Sequence, residues 1–429
     1  MNVTTAGTTF FLAMVAILAV CRLVSWVGVK LGQPPVVGEM VAGVLLGPSL
    51  LGLISPAVEN LLFPASGRAL IYVAGQIGLV LFMFGAGYEF STDRIRKSMR
   101  TVGAISLAGN LLPLALGVVI TLLGTRWTHI VVPGVSLTTS AAFVGVALAI
   151  TAFPMMARMI SERGISDTKF GSIALACGAL DDVLAWLLLA IVISMASGSS
   201  GPAIVAGIGA VVFAALLLGG GRQLLSRVIR DSGKGGEKSG DDWRLLFTAI
   251  VVFGAAWFTD RIGLYAVFGA FCVGVVFPRN QAADRVMATI APLARIVFVP
   301  LFFTYSGLNT KFGLLANPGL LGFAALAVVV AIVGKLGACW GAARAAGEPK
   351  PIAARIGILM NGRGLMQLIA INVGLQVGIV SSELFSVLVL VALVTTIMTA
   401  PLLTWYEKRA ERNGLLDVPA SLETEYVRN

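Results

Sequence analysis

The stretch TAFPMMARMISERGISDTKFGSIALACGALDDVLAWLLLA, residues 151–190, joins a proline-interrupted apolar segment to a second apolar segment that carries two adjacent aspartates. Asp181 lies 13 residues after position 168, where the second segment is predicted to begin. At 1.5 Å per residue in a helix this distance is roughly 20 Å, near the middle of a bilayer. An ionisable group at that depth costs several kcal/mol, so Asp181 and Asp182 predict a functional site.

The rest of the chain has the composition of a membrane protein. Of the 429 residues, 57% are hydrophobic and only 12% are charged, about half the charged fraction of a soluble domain. Fifty glycines lie largely within the apolar runs, where small residues let helices pack closely in lipid. No soluble core of this size hides so much apolar surface. The sequence therefore predicts an all-α polytopic membrane protein.

Stretches of about 20 apolar residues predict thirteen transmembrane helices. Their predicted ranges are 7–29, 35–53, 69–88, 101–124, 136–161, 168–196, 203–229, 243–259, 262–278, 287–308, 319–346, 352–378 and 383–406. Of the 31 Lys and Arg residues, 24 fall on one side of the alternating loops and four on the other. By the positive-inside rule the basic side is cytoplasmic, which places the N-terminus outside and the C-terminus inside the cell membrane. The net charge of +10 is thus a topology signal and not a sign of nucleic-acid binding.

The hydrophilic stretches predict the domain organisation. Residues 1–407 form the predicted transmembrane domain, with a flexible cytosolic linker at about 231–242, and residues 408–429 form a short cytosolic tail. The four cysteines lie in apolar stretches without metal-ligand spacing, and there is a single histidine, His129. The sequence therefore predicts neither a bound metal nor another cofactor.

Lys335 provides a candidate partner for the aspartates. It lies 16 residues into the predicted helix 319–346, at a depth comparable with theirs. A buried lysine needs an acidic partner or must lose its proton. We expect an ion pair between Asp181 and Lys335, which leaves Asp182 free for an ion; the alternative is a purely structural pair.

Two predicted helices are interrupted near their middle. In ALAITAFPMMARMI, Pro154 lacks an N–H group and clashes with the preceding helical turn. In GILMNGRGLMQLIA, the interruption contains Asn361 and Arg363. Broken helices at corresponding positions in two halves of a transporter mark its binding site. Pro154 alone would predict only a kink, but two breaks and an aspartate pair together predict an ion-binding crossing.

Other polar residues within or at the ends of the predicted helices predict only interhelical hydrogen bonds. They are Asn110, Gln76, Glu39, Glu89 and Tyr305.

At these residues the sequence resembles the monovalent cation:proton antiporter-2 family, over almost the whole chain. The stretch 151–190 resembles the broken helix of that family followed by its ion-binding helix. LGQPPVVGEMVAGVLLGPSLLG, from Leu31, is similar to an early family helix. Similar to later landmarks are AVFGAFCVGVVFP, PLFFTYSGLNT, VGKLG and MNGRGLMQLIAINVGL. The order and spacing of these segments make the resemblance specific.

The resemblance implies an exchanger of Na⁺ or K⁺ for H⁺, built from inverted repeats with a core and a dimerisation subdomain, that works by alternating access as a homodimer. It also implies that Asp182 binds either the cation or the proton, and that Asp181 and Lys335 form a buried ion pair. Thr151 and Arg363 match the crossing of the broken helices. The Asp-Asp pair with a lysine is similar to the electrogenic exchangers.

Two other functions remain open at this point. A sodium-coupled organic-anion symporter of similar architecture would need a roomy polar cavity, and it does not need paired aspartates beside a lysine. An intramembrane enzyme would need a nucleophile with its base, or metal ligands at suitable spacing, and the sequence supplies neither.

Overall fold

The computed structural model describes residues 3–89, 99–166, 168–196, 201–230 and 237–412, and all regular elements in these ranges are helical. The first eleven are α1 (Val3–Lys30), α2 (Pro35–Leu46), α3 (Leu51–Ile54), α4 (Pro56–Leu62), α5 (Ala65–Glu89), α6 (Met99–Gly124), α7 (Leu137–Ala149), α8 (Phe153–Glu162), α9 (Lys169–Ala196), α10 (Gly201–Leu216) and α11 (Arg222–Val228). The remaining ones are α12 (Glu237–Arg261), α13 (Ala266–Val276), α14 (Gln281–Leu293), α15 (Val299–Leu308), α16 (Pro318–Ala345), α17 (Lys350–Met360), α18 (Leu365–Gln376) and α19 (Ser382–Arg412). Single π-helical turns join α10 to α11 and α14 to α15, and a short 3₁₀ helix, Phe312–Ala316, lies between α15 and α16.

Twelve spans within the described residues are long and apolar enough to cross a membrane. They correspond to twelve of the thirteen predicted helices, so the predicted all-α polytopic architecture is confirmed. The thirteenth, predicted over 262–278, is the 11-residue helix α13. Eleven residues rise about 16 Å, well short of a hydrocarbon core of about 30 Å.

The predicted linker at 231–242 is partly helical. Residues 231–236 lie outside the described residues, and α12 already begins at Glu237. Asp241 accepts from Arg244 at 2.7 Å and from Arg285 at 3.1 Å, and Arg244 also donates to the carbonyl of Arg230. These charged contacts stabilise a helical start that composition alone does not indicate. Residues 413–429 of the predicted tail lie outside the described residues.

The chain divides into two compact units, each assembled from separate segments. The first comprises Met1–Val20, Leu51–Thr92 and Ile193–Tyr305, and the second comprises Cys21–Leu50, Asp93–Val192 and Ser306–Asn429. In the first unit α13 packs against α5 and α12, around a core that includes Phe84, Val252 and Val273. All of the predicted site residues belong to the second unit.

The second unit is held together by close approaches of α6 to α7 and α16. A Cβ atom added at Gly117 of α6 would lie 2.6 Å from the Cα atom of Gly145 in α7. A Cβ atom added at Gly124 would lie 2.6 Å from the ring of Phe323 in α16. Because helices in lipid associate through packing contacts, these glycines bring the backbones that carry the site close together.

The distribution of polarity is the reverse of that in a soluble protein. Helix α10 exposes apolar side chains along its length, among them Ile204, Ile208 and Val211. In the second unit, in contrast, the charged side chains of Asp181, Lys335 and Arg363 are completely buried. Exposed apolar side chains and buried charged ones are expected of a protein surrounded by lipid.

Candidate ion-binding site

The carboxylate of Asp181 is the most densely hydrogen-bonded group at the predicted site. Asp181 lies in the middle of α9 and is completely buried. Its Oδ2 atom accepts from Lys335 Nζ at 2.8 Å and from Thr151 Oγ1 at 2.8 Å. Its Oδ1 atom accepts from Asn110 Nδ2 at 2.8 Å. Donors from α6, from α16 and from the break between α7 and α8 thus converge on one carboxylate and compensate its negative charge.

Lys335 reaches this carboxylate from α16 and is also completely buried. Besides the ion pair with Asp181, its ammonium group donates to the carbonyl of Ala149 at 2.7 Å. Ala149 is the last residue of α7, where the helix presents unsatisfied carbonyl groups. The structure therefore places Lys335 against both Asp181 and a helix end.

Asp182, the next residue of α9, has the opposite environment. It is 1% exposed, and neither of its carboxylate oxygens has a hydrogen-bond partner among the described residues. The backbone amide of Phe153, the first residue of α8, lies near this carboxylate. A helix N-terminus carries partial positive charge and favours an anion. Asp182 is thus a buried carboxylate whose charge no side-chain donor of the described residues compensates.

The two interrupted helices meet beside the aspartates. One break separates α7 from α8, and the other separates α17 from α18. The amide of Ala152 in the first break donates to the carbonyl of Gly362 in the second at 3.2 Å. Thr151 Oγ1 lies 3.5 Å from the carbonyl of Met360, the last residue of α17. The side chain of Thr151 therefore touches both the second break and Asp181.

Local sequence explains where each helix is interrupted. Pro154 is the second residue of α8, in the first turn, where its missing N–H group leaves no helical hydrogen bond unmade. Gly364 precedes α18 with φ 156° and ψ −120°, a backbone conformation accessible essentially to glycine alone. Asn361 lies at the end of α17, fully buried, and its side-chain amide has no hydrogen-bond partner among the described residues.

Arg363 supplies a second buried cation at the crossing. It is completely buried, and its Nη2 atom donates to the carbonyls of Leu148 and Ala331. Leu148 lies in the last turn of α7, so the guanidinium group compensates the partial negative charge of that helix end. The Nε and Nη1 atoms of Arg363 have no hydrogen-bond partner among the described residues.

The geometry brings the seven predicted residues into one region of the second unit, and it adds groups that were not predicted as site residues. Asn110 makes the interhelical hydrogen bond expected of it, from α6 to α9, and its partner is Asp181. Its polarity within an apolar helix was a signal, but its partner could not be inferred. The carbonyls of Leu148 and Ala149 also belong to the site. Backbone groups of this kind leave no signal in a sequence.

A completely buried ion pair, an unsatisfied carboxylate and two crossing half-helices define a class of protein. They are the parts of a polytopic ion transporter, in which broken helices expose backbone polar groups only where these line a site.

Comparisons with known proteins agree with this class. The family model described as sodium/hydrogen exchanger, transmembrane, matches residues 14–405. The Na⁺/H⁺ antiporter NhaS4 of Synechocystis is 36% identical over 391 residues, which cover 91% of this chain and 95% of that protein. Cation/H⁺ antiporter 18 of Arabidopsis thaliana is 32% identical over 94% of this chain, which spans about half of that longer protein (49%).

The solved structure of the sodium proton antiporter MjNhaP1 from Methanocaldococcus jannaschii has the same fold, with a TM-score of 0.66. The match covers 94% of this chain and 97% of that structure, at 16% sequence identity. The chain belongs to the sodium/hydrogen exchanger family and exchanges a monovalent cation for protons across a membrane. The alternative of an organic-anion symporter is not supported.

Proposed function

We propose that Asp182 is the carrier of this antiporter, and that a proton and a monovalent cation bind its carboxylate in turn. The observation that carries the proposal is the contrast between the two neighbouring aspartates. Asp181 has three donors, whereas Asp182 has no hydrogen-bond partner among the described residues. A bare carboxylate at this depth is costly, so Asp182 is stable when a proton or a cation compensates its charge.

The charges of the site favour monovalent ions. The ammonium group of Lys335 compensates Asp181, and the guanidinium group of Arg363 compensates the C-terminal end of α7, so Asp182 keeps one negative charge for a transported ion. A proton and a Na⁺ or K⁺ ion each add one positive charge, and they are therefore equivalent to the surrounding electrostatic field. A divalent cation would leave a second charge uncompensated in a low-dielectric region, which is strongly unfavourable. Competition between two equivalent ions for one carboxylate is sufficient to couple their fluxes.

Lys335 offers a second proton. If its ammonium group releases a proton when the cation enters, two protons move for each cation and the exchange carries net charge. Thr151 and Asn110 remain as donors to Asp181 in that state. A membrane-potential dye in proteoliposomes distinguishes this electrogenic cycle from a one-for-one exchange.

We place the protein in the cell membrane, with the N-terminus outside and the C-terminus in the cytoplasm. It forms a homodimer with separate core and dimerisation subdomains, and it operates by alternating access. The transported ion is Na⁺ or K⁺. The name of NhaS4 specifies Na⁺, and that of cation/H⁺ antiporter 18 specifies only a cation. Light scattering in detergent tests the dimer. Labelling of single cysteines introduced at Lys311 and Arg285 from each side tests the orientation.

The decisive experiment compares wild type with Asp182→Asn in proteoliposomes that contain a pH-sensitive dye. Addition of Na⁺, K⁺ or Li⁺ should move protons in wild type and identify the transported ion. Asp182→Asn should abolish the response while the protein remains folded. Asp260→Asn serves as the control, because Asp260 is an exposed carboxylate at the end of α12. Exchange that survives in Asp182→Asn would refute the assignment of the carrier.

A further inference from the structure

The three donors to Asp181 differ in what the transport cycle can do to them. Lys335 carries a charge that proton release can remove, and Thr151 belongs to a crossing of broken helices. Asn110 is a neutral amide on α6, and it neither titrates nor belongs to the crossing. Among the described residues it provides the hydrogen bond to Oδ1 of Asp181, at 2.8 Å. Asn110 is therefore the donor that can persist throughout the cycle.

The orientation of the Asn110 amide is determined by its two N–H groups. Nδ2 donates to Asp181 Oδ1 and also to the carbonyl of Ser106, one helical turn earlier, at 2.8 Å. Asn110 is 4% exposed, and its Oδ1 atom has no hydrogen-bond partner among the described residues. The flipped amide would place this carbonyl oxygen against the carboxylate of Asp181, so the observed orientation is strongly favoured. In this orientation the buried Oδ1 atom of Asn110 makes no hydrogen bond within the described residues, while Nδ2 donates to Asp181.

Neighbouring residues of α6 fix the position of Asn110 relative to α16. Gly109 lets α16 approach, since a Cβ atom there would lie 2.6 Å from Cys339 Sγ and 3.6 Å from Lys335 Nζ. Pro113 lies inside α6 and has no N–H group to donate to the carbonyl of Gly109. The packing of α6 on α16 thus brings Asn110 and Lys335 to the same carboxylate from two sides.

We propose that Asn110 is a positioning residue of the exchange site, which keeps Asp181 ionised and so directs the exchanged proton to Asp182. Two adjacent carboxylates compete for one proton, and the one with more hydrogen-bond donors keeps its charge. Asn110 makes this competition unequal even when Lys335 has lost its proton. The inference rests on the proposed function, in which Asp182 is the carrier.

The test replaces Asn110 with leucine, which has a similar volume and no donor. Loss of one hydrogen bond to a buried charge makes proton binding to the aspartate pair tighter. We expect the pH of half-maximal exchange to rise by about one unit. At a pH below this midpoint the apparent KM for the cation should rise by about tenfold, while KM and maximal rate at high pH stay close to wild type. A merely structural defect would lower the rate at all pH values by one factor.

Ser106→Ala is the matched control. Ser106 lies one turn before Asn110 and is also buried, and its hydroxyl donates to the carbonyl of Cys177 and not to Asp181. This variant should keep the wild-type pH profile. If Asn110→Leu does not fold, Asn110→Met tests the same loss of a donor with a more flexible side chain. A folded variant with an unchanged pH profile overturns the role of Asn110 while Asp182→Asn is inactive; an active Asp182→Asn overturns the proposed function instead.

Discussion

The ammonium group of Lys335 lies 2.8 Å from Oδ2 of Asp181, and both side chains are completely buried. The pair joins α16 to α9, and the same ammonium group also binds the C-terminal carbonyl of α7. Two opposite charges can be buried together, whereas a buried charge that has lost its partner strongly destabilises the folded protein. The pair therefore links the stability of the second unit to the state of the exchange site.

Removal of one member of this pair should destabilise the protein strongly. Lys335→Met leaves the Asp181 charge without its partner, and we expect a loss of about 3–5 kcal/mol in the free energy of unfolding. The double variant Asp181→Asn with Lys335→Met removes both charges and should recover much of that loss. Thermal unfolding in detergent measures both. Equal destabilisation of the single and double variants would show that the charge on Asp181 is not the cause.

Thr151 should affect cation binding through Asp181. Thr151→Val keeps the shape of the side chain and removes the hydroxyl that donates to Asp181 Oδ2. At a pH below the midpoint of exchange we expect the apparent cation affinity to fall by about tenfold, the effect of one hydrogen bond to a charged group. Thr151→Ser retains the donor and should remain within about threefold of wild type. A serine variant as weak as the valine variant would assign the effect to the lost methyl group.

Gly364 should be sensitive to any side chain. At φ 156° an alanine is strained by about 1–3 kcal/mol, and its Cβ atom would lie 3.2 Å from Met155 Sδ. We therefore expect Gly364→Ala to lower the melting temperature. Gly337→Ala provides the control, because Gly337 lies within α16 with no atom within 4 Å of the added Cβ. That change should be neutral or stabilising, since alanine favours a helix over glycine.

The contact between Gly109 and Cys339 predicts a suppressor. Gly109→Ala places a Cβ atom 2.6 Å from Cys339 Sγ, and overpacking of this kind costs about 1–3 kcal/mol. Cys339→Ala removes the sulfur, so the double variant should be more stable than the two single effects predict. Strict additivity in thermal unfolding would mean that α6 and α16 separate instead, and exchange activity would then fall with the lost contact to Asp181.

The transmembrane helices and the broken segments follow from local properties of the chain. Apolar length predicted twelve of the full spans, and Pro154 and the residues around Gly364 predicted where two helices are interrupted. α13 was predicted too long, because an apolar run of sufficient length does not show that all of it is helical. The helical start of α12 was missed, since Asp241 is stabilised there partly by Arg285, a residue distant in sequence.

The sequence by itself determined that Asp181, Asp182, Lys335 and Arg363 lie deep in a membrane, because the depth of a charge follows from its position along an apolar helix. Only the tertiary structure decided which groups compensate each of these charges. Asp181 has the donors of Asn110, Thr151 and Lys335, whereas Asp182, its immediate neighbour, has none among the described residues. Hydropathy fixes how far a residue lies along its own helix, but hydrogen-bond partners are set by how several helices pack against one another.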